Sequence, residues 1–341
     1  MANRSVSKIL AGITIGDTNG VGVEVVLRSF GQQSLLDMCV PIVYGDIAVI
    51  NYHVEALNLR DLALNVINDE SHAKEGVLNV FSIGSEPVSV NLGENRPSGG
   101  RYALESLQRA SEAIKQGAVD LMITAPLNKS NIDHIGFNGH TGFLAEQFGK
   151  DAIMIMASEE VKVALVTGHI PVSEVAGCLT VDLIFEKITS LKQSLIDDFG
   201  IEAPSIAVLG LNPHAGDDGL IGKEEIDTIA PAVSKANEFG IDADGPISAD
   251  GFFGSGAYKE YDGVLAMYHD QGLIPFKAIS FDTGVNFTAG LSIVRTSPGH
   301  GVAYDLAGRG IASPTSFGEA VRLGCAICQR RSGQPIEIFP K

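Results

Sequence analysis

One stretch of the sequence, Asp262–Gly301, concentrates side chains that can bind metal ions and anions. A short apolar run at residues 264–267 leads into it, and glycines and prolines interrupt it. An acidic protein has no packing reason to gather so many donors and ligands in one place. Their density predicts half of an enzyme active site, and the other half must lie upstream. The side chains behind this prediction are Tyr268, His269, Asp270, Gln271, Lys277, Asn286, Arg295 and His300.

Histidines follow three of four apolar segments that we predict as strands. The four segments cover residues 120–129, 161–172, 205–216 and 262–272. They alternate with helical stretches, which is typical of parallel βαβ units, and ligands bind outside the carboxyl ends of such strands. His169, His214 and His269 occupy equivalent strand ends in a chain with only eight histidines. One histidine at a strand end is usually structural, but three equivalent ones predict a shared site for a divalent metal ion.

The residue types indicate which metals suit this site. Neutral imidazoles favour zinc, iron, cobalt or nickel, and magnesium is less suited without carboxylates. The histidines are 45 and 55 residues apart, which matches no local zinc cassette, so the prediction depends on strand position. Asp270 and Asp250 are candidates to orient a histidine, to add a carboxylate ligand or to accept a proton.

A second group of side chains suits an anionic substrate. Lysine and arginine bind phosphate or carboxylate, and asparagine binds a hydroxyl or amide. The alternative is that these are surface charges on loops. In a chain with a net charge of −17 we favour anion binding. The residues concerned are Lys277, Asn286 and Arg295, with Lys129, His140 and Thr141 after the first of the four segments.

Two glycine-containing segments carry weaker signals. A predicted strand from Ile9 to Ile15 precedes a glycine loop and a helix, an arrangement that can hold an anion. The loop lacks the G-x-G-x-x-G pattern of nicotinamide-binding Rossmann folds, so we favour a tight turn. Small residues at 300–314 would let the backbone approach a flat ligand. Glu224 and Glu225 follow a loop without calcium-site spacing and are predicted to open a helix.

Length and composition bound the possibilities. A chain of 341 residues predicts two domains. An excess of 41 acidic over 24 basic residues argues against a nucleic-acid groove or an anionic membrane surface. No apolar run approaches the roughly 20 residues that span a bilayer, and the first apolar segment is expected to be a strand. The four cysteines are scattered and predict reduced thiols, which is consistent with a cytoplasmic setting. Cys325 and Cys328 are predicted to lie on one late helix.

Longer motifs then make the sequence specific. It contains GDTNGVGVE, TAPLNK, GHTGFLAE, GHIPV, GLNPHAG, YHDQGLIPFK, GVNFTAGLSIVRTS and HGVAYDLAGRGIASP. Along nearly its whole length the chain therefore resembles the 4-hydroxythreonine-4-phosphate dehydrogenase (PdxA) family. The most specific of these motifs are YHDQG, GLNPHAG and the last one.

The resemblance implies a fold and an assembly. The expected fold is α/β and like that of isocitrate and isopropylmalate dehydrogenases, with two α/β/α domains and mixed, mainly parallel sheets. The active site is expected in the cleft between the domains. A cofactor-side domain would comprise residues 1–128 and 281–341, and a metal, substrate and dimerisation domain residues 129–280, within about 15 residues, given the uncertainty of boundaries placed from sequence. The protein is expected to be a homodimer with shared active sites.

The resemblance also implies roles for particular residues. His169 and His214 of one subunit and His269 of the other would bind the metal, and His269, Asp270 and Asp250 are the candidates for catalysis. His140, Thr141, Lys277, Asn286 and Arg295 fall on substrate-binding positions. The segment that binds the adenine side of NAD or NADP in this fold corresponds to His300, Gly301, Ala303, Asp305 and Gly308.

The implied reaction is the oxidation of 4-phosphohydroxy-L-threonine by NAD or NADP, assisted by a divalent metal. Zinc is favoured, with magnesium or cobalt as alternatives. The product is a β-keto acid that loses CO₂ to give 3-amino-2-oxopropyl phosphate, in pyridoxal phosphate biosynthesis. The chain departs from the family pattern at Gly142, Ser292 and Val302. Three alternatives stay open: a related dehydrogenase for a phosphorylated four-carbon sugar acid or a dihydrodiol acid, a phosphotransacylase, and a non-catalytic sensor descended from the enzyme.

Overall fold

The computed structural model describes residues 8–84, 89–132, 137, 139–149 and 152–339. The chain forms two compact units, and both are discontinuous in sequence. Unit 1 comprises Met1–Lys150 and Leu291–Cys328, and unit 2 comprises Asp151–Gly290 and Gln329–Lys341. The chain passes from unit 1 to unit 2 after residue 150 and returns to unit 1 after residue 290, whereas the predicted boundaries are near 128 and 280. The assignment of cofactor, metal and dimerisation roles to these parts stays a prediction.

Short strands with largely buried residues form the centre of each unit. Burial of both faces is typical of parallel strands that helices cover. The strands are β1 (Ile9–Thr14), β2 (Cys39–Tyr44), β3 (Leu64–Ile67), β4 (Leu78–Phe81), β5 (Leu121–Thr124), β6 (Ile153–Ala157), β7 (Lys162–Leu165), β8 (Ile206–Leu209), β9 (Ala243–Ile247), β10 (Gly263–Ala266), β11 (Val285–Ala289) and β12 (Val294–Pro298).

The helices cover these strands and supply the other half of each hydrophobic core. They are α1 (Gly22–Phe30), α2 (Gln33–Met38), α3 (Ile47–Ala56), α4 (Pro97–Lys115), α5 (Gly139–Phe148), α6 (Val172–Cys178), α7 (Val181–Asp197), α8 (Ala230–Glu238), α9 (Ala249–Ser255), α10 (His269–Ser280) and α11 (Thr315–Arg331). Within the described ranges, no helix is both long and apolar enough to cross a bilayer.

In unit 1 the strand order is β3-β4-β2-β1-β5-β12, and every pair is parallel. The predicted first strand is observed as β1, and its glycine loop leads into α1. Gly16 has a φ of +68° in that loop, and a Cβ there would lie 2.3 Å from the carbonyl oxygen of Pro126. The backbone N–H of Val21 donates to the carbonyl oxygen of Val302, so protein groups occupy this end of the loop. The tight-turn interpretation agrees with this geometry.

In unit 2 the order is β11-β6-β7-β10-β8-β9. Strand β6 is antiparallel to both β11 and β7, and the pairs from β7 to β9 are parallel. This confirms an α/β fold with mixed, mainly parallel sheets. Apolar side chains from β7, β8 and β10 pack with Phe252, Leu273 and Phe276 from the following helices. The edge of these three strands therefore has a rigid base.

The cysteines agree with the expectation for the late helix. Cys325 is buried and Cys328 partly buried on α11, and both are free thiols. Cys39 is also buried, and Cys178 is exposed. All four cysteines lie in the described ranges, and none of them forms a disulfide.

Candidate active site

The three histidines predicted to share a site follow three adjacent strands of unit 2. Strand β10 lies between β7 and β8 and is parallel to both, so the carboxyl ends of all three form one edge. His169 follows β7, His269 follows β10 and His214 follows β8. The ring centroids of His169 and His269 are 5.5 Å apart, with an angle of 45° between their planes. The structure therefore brings together two of the three imidazoles within one chain.

The third histidine lies on the same edge but does not complete a metal site in one chain. Among the described residues, no group of three or more histidine, cysteine or acidic side chains is arranged to hold a metal ion. His214 instead lines a cleft of about 500 Å³ in unit 2. Tyr268, Asp270 and Asp250 line the same cleft. Two predicted catalytic carboxylates therefore share a surface with one predicted metal ligand.

The two carboxylates have different partners. The Asp270 carboxylate lies 2.7 Å from Nδ1 of His269, an arrangement that places a proton on Nδ1 and leaves Nε2 as an electron-pair donor. Asp250 accepts a hydrogen bond of 2.6 Å from the Ser248 hydroxyl. That bond, with smaller contributions that include nearby His214, lowers the pKa of Asp250 below its usual value. Asp250 is therefore a carboxylate at neutral pH.

Two polar side chains hold the strand ends together, a role that sequence reasoning gave neither to Gln271, a candidate active-site residue, nor to Thr167. Gln271 donates to the carbonyl oxygen of Gly210 at 2.5 Å and accepts from the backbone N–H of Met267 at 2.7 Å. This links the ends of β10 and β8. The Thr167 hydroxyl donates to the carbonyl oxygen of Met267 at 2.7 Å and links the ends of β7 and β10. The signal in the sequence was their position, because Gln271 lies inside YHDQG and Thr167 directly precedes GHIPV.

The segment that carries His214 has an unusual backbone. Five consecutive residues, 214–218, have positive φ between 46° and 82°, and only Gly216 among them is a glycine. For other L-residues this conformation costs about 1–2 kcal/mol each. Glu225 lies against this turn with 2% of its surface exposed. It begins a π-helical turn, as predicted for a helix-opening acid, and its carboxylate also accepts hydrogen bonds from the preceding loop.

In unit 1 a buried cation lies beside a predicted substrate residue. Arg295 on β12 is 2% exposed, and its Nε donates to the Thr124 hydroxyl at 3.1 Å. Burial lowers the pKa of Arg295 to about 9, so it remains a cation at pH 7. Burial, and then the charges of Arg295 and Lys129, hold the pKa of His140 well below its usual value. His140 is therefore neutral beside two cations.

The other predicted substrate residues are divided between the units. Thr141 follows His140 in the first turn of α5, in unit 1. Lys277 is exposed on α10 and Asn286 is half-buried on β11, both in unit 2. The Asn286 Oδ1 is buried and has no hydrogen-bond partner among the described residues. Such an atom is suited to accept a hydrogen bond from a ligand.

The predicted cofactor segment follows β12 in unit 1, and a buried glutamate holds it. The Glu24 carboxylate accepts from the backbone N–H groups of Gly308 at 3.2 Å and Ala312 at 3.1 Å. Ala303 and Gly308 have positive φ of 40° and 73°. The backbone between Ala303 and Gly308 therefore forms a compact turn, and Glu24 holds the end of this turn. The remaining predicted residues also lie here: His300, whose Nδ1 is 3.0 Å from the carbonyl oxygen of Gly301, and exposed Asp305.

These features define an α/β protein with imidazoles at adjacent strand ends of unit 2 and a buried cation in unit 1. Residues 37–324 match the model of the family described as pyridoxal phosphate biosynthetic protein PdxA. The chain belongs to this family. The family resemblance inferred from the sequence motifs is therefore confirmed.

Individual relatives match over nearly the whole chain. A 4-hydroxythreonine-4-phosphate dehydrogenase from Bacteroides thetaiotaomicron is 46% identical over 329 residues, which cover 95% of this chain and 90% of that protein. One from Prosthecochloris aestuarii is 39% identical over 331 residues, covering 93% and 97%. The crystal structure of the enzyme of the same name from Klebsiella pneumoniae matches with a TM-score of 0.80 and 35% identity, covering 96% of this chain and 100% of that one.

Proposed function

We propose that this chain oxidises 4-phosphohydroxy-L-threonine with NAD or NADP and releases CO₂ and 3-amino-2-oxopropyl phosphate, a step in pyridoxal phosphate biosynthesis. The observation that carries this proposal is the parallel edge of unit 2, where His169, His214 and His269 follow adjacent strands in a chain of this family. The names of the relatives support the substrate. They do not favour a sugar acid, a dihydrodiol acid or acyl phosphate as the substrate.

The donor set at this edge fits a zinc ion, because three imidazoles follow adjacent parallel strands and imidazole nitrogen is a common zinc ligand. We assign His169 and His214 of one subunit and His269 of the other as the ligands. When bound, the metal supplies a Lewis acid for the alcohol oxygen and for the carbonyl that replaces it.

The protein groups then bind, orient and deprotonate the substrate. Arg295 offers a charged donor for the phosphate or carboxylate, and neutral His140 offers a hydrogen bond beside it. We assign Thr141, Lys277 and Asn286 to the same substrate. Oxidation transfers a hydride from the alcohol carbon to the nicotinamide and a proton from the alcohol oxygen to a base.

We assign that base to Asp250. Asp270 is engaged with Nδ1 of His269 and orients its ring, whereas Asp250 faces the cleft and accepts from the Ser248 hydroxyl and the backbone N–H of Gly251. After oxidation, the carboxylate attached to the carbon beside the new ketone leaves as CO₂. The electrons of the broken C–C bond pass to the carbonyl oxygen, and the carbon then takes up a proton.

We propose that the enzyme is a cytoplasmic homodimer whose subunits share their metal sites. One chain alone presents no complete three-ligand group among its described residues. Large apolar side chains are exposed within six residues of each histidine in the sequence, at Val172, Leu220 and Ile274. Exposed apolar surface of this kind is typical of an interface. A second copy of the chain that covers this edge would bury these side chains and bring its own histidine to the site.

The direct test is to measure the metal content of the purified protein and then follow reduced nicotinamide by absorbance. Each candidate substrate is offered with NAD or with NADP. We expect reduction only with 4-phosphohydroxy-L-threonine, and loss of activity after chelation. No reduction with any substrate, together with turnover of acyl phosphate, would show that the chain is a phosphotransacylase instead.

A further inference from the structure

The backbone around His214 forms a left-handed turn that needs an external support. His214 has a φ of 55° and Ala215 a φ of 51°, and Asp217 and Asp218 are similar. Within the turn, the backbone N–H of Ala215 donates to the carbonyl oxygen of Asn212 at 3.1 Å, and that of Ile221 to Gly216 at 3.0 Å. Neither bond uses the backbone N–H groups of Leu211 and Asn212, which lead into the turn. Another group must therefore hold these two residues.

Glu225 supplies that support through several hydrogen bonds. Its Oε1 accepts from the backbone N–H groups of Leu211 and Asn212, each at 2.7 Å. Its Oε2 accepts from the side-chain amide of Asn212 at 2.9 Å. The carboxylate therefore gathers the donors of the two residues that lead into the turn. A charged acceptor forms stronger bonds to such N–H groups than a neutral one.

Close packing fixes the carboxylate in this place. A Cβ atom at Gly216 would lie 2.7 Å from Oε2 of Glu225, and one at Gly210 would lie 3.2 Å from Oε1. The turn thus wraps around the carboxylate, and only glycines leave room for it. Glu224 offers a contrast because it is half-buried and bonds to the Asn212 side chain and the N–H of Lys223 instead of the N–H groups that enter the turn.

We propose that Glu225 is a positioning residue that holds the left-handed turn and so fixes the backbone from which His214 reaches the metal. This inference rests on the proposed function, in which His214 is a metal ligand. The link is purely structural: Glu225 holds residues 211 and 212, these set the start of the turn, and the turn carries His214.

The test compares Glu225→Gln with Glu224→Gln in the full chain. Both variants remove one negative charge beside the Asn212 side-chain amide, but only the first changes the group that accepts from the backbone N–H groups of Leu211 and Asn212. We measure Zn²⁺ affinity of the metal-free protein by competition with a chelator, and hydrogen exchange of peptides that cover residues 209–222. Glu225→Gln should weaken Zn²⁺ binding by about 10- to 100-fold, the usual effect of removing a group that orients a ligand. Its peptides should also exchange faster, while Glu224→Gln should behave like the parent.

A milder variant keeps the test decisive if Glu225→Gln does not fold. Asn212→Ala removes the amide that bonds to Glu225 and should change both measurements in the same direction by a smaller amount. Unchanged exchange in the variants, or faster exchange with parent-like Zn²⁺ affinity, overturns the positioning role. His214→Ala separates the assignment of His214 as a metal ligand from the role of Glu225. If it binds Zn²⁺ as tightly as the parent, the metal assignment fails, whereas the exchange data still decide whether Glu225 holds the turn.

Discussion

The side-chain amide of Gln271 donates to the carbonyl oxygen of Gly210 at 2.5 Å, and so joins the loop after β10 to the loop after β8. The same side chain accepts from the buried backbone of Met267. One residue of the YHDQG motif therefore sets the spacing between the strand ends that carry His269 and His214. Gln271 and Gly210 are 61 positions apart in the sequence.

Gln271→Ala should destabilise the protein by about 1–3 kcal/mol, because it leaves a backbone donor and a backbone acceptor without their partner. Urea unfolding followed by circular dichroism measures this change. Gln193→Ala is the control, because Gln193 is exposed on α7 and bonds to Asp197 of the same helix. A loss no larger than that of the control would mean that Gln271 does not join the strand ends.

Mixed dimers of His169→Ala and His269→Ala should recover activity if the subunits share their sites. Each variant alone should be inactive. After random mixing, half of the dimers contain both variants and each has one intact site, so about one quarter of the parent activity returns. Activity is measured after unfolding and refolding the mixture.

Mixing His169→Ala with His214→Ala is the control for that experiment. These two ligands belong to one subunit in the shared arrangement, so no mixed dimer gains an intact site. Recovery in neither mixture would indicate that each chain builds its own site, as the proximity of His169 and His269 within one chain also permits.

Asp250→Asn and Asp270→Asn should have separable effects. Asp270→Asn should lower Zn²⁺ affinity by about 10- to 100-fold, because the His269 ring loses its orienting carboxylate. Asp250→Asn should keep Zn²⁺ affinity and lower kcat by roughly 10²- to 10⁴-fold, the usual contribution of a general base. Chelator competition and steady-state kinetics distinguish them. Parent-like kcat in Asp250→Asn would remove Asp250 as the base.

Arg295→Lys should raise KM for the phosphorylated substrate, since a lysine cannot reproduce the planar donor fork of arginine. The loss of kcat/KM should be at least about tenfold, the effect of losing one hydrogen bond to a charged group. Arg60→Lys provides the control, because Arg60 is exposed and pairs only with Glu55 among the described residues. An unchanged KM in Arg295→Lys would exclude Arg295 from substrate binding.

His53 should make the protein less stable at acidic pH. It is buried in unit 1 against the carbonyl oxygen of Thr18, and burial lowers its pKa from 6.5 to about 4. The unfolded chain binds the proton more readily, so stability falls as the pH drops from 6.5 towards 4 and is unaffected above 6.5. The full effect is about 3 kcal/mol. His53→Gln should flatten this part of the curve of unfolding free energy against pH, with His72→Gln as the matched control.

The sequence predicted those parts of the site that depend on local pattern. Apolar runs followed by histidines indicated strands, and parallel connection placed their ends on one edge. The late helix around Cys325 was likewise predicted, because its apolar periodicity is local.

Contacts between distant residues could not be predicted in this way. Glu225 has the pattern of a helix-opening acid, yet its carboxylate lies inside a loop that the chain had passed 13 residues earlier. Arg295 has the pattern of an exposed loop charge or an anion ligand, and its burial against Thr124 depends on two strands 171 residues apart.

By itself, then, the sequence determined the α/β class, the family and the position of three histidines at strand ends. Residue type and spacing carry this information directly. Only the tertiary structure decided that Gln271 and Thr167 join the strand ends and that Glu225 holds the left-handed turn. It also decided that His169 and His269 are neighbours and that the predicted substrate residues belong to two units. The physical reason is that a buried polar group takes the partner that folding brings within reach, and that partner is often far away in the sequence.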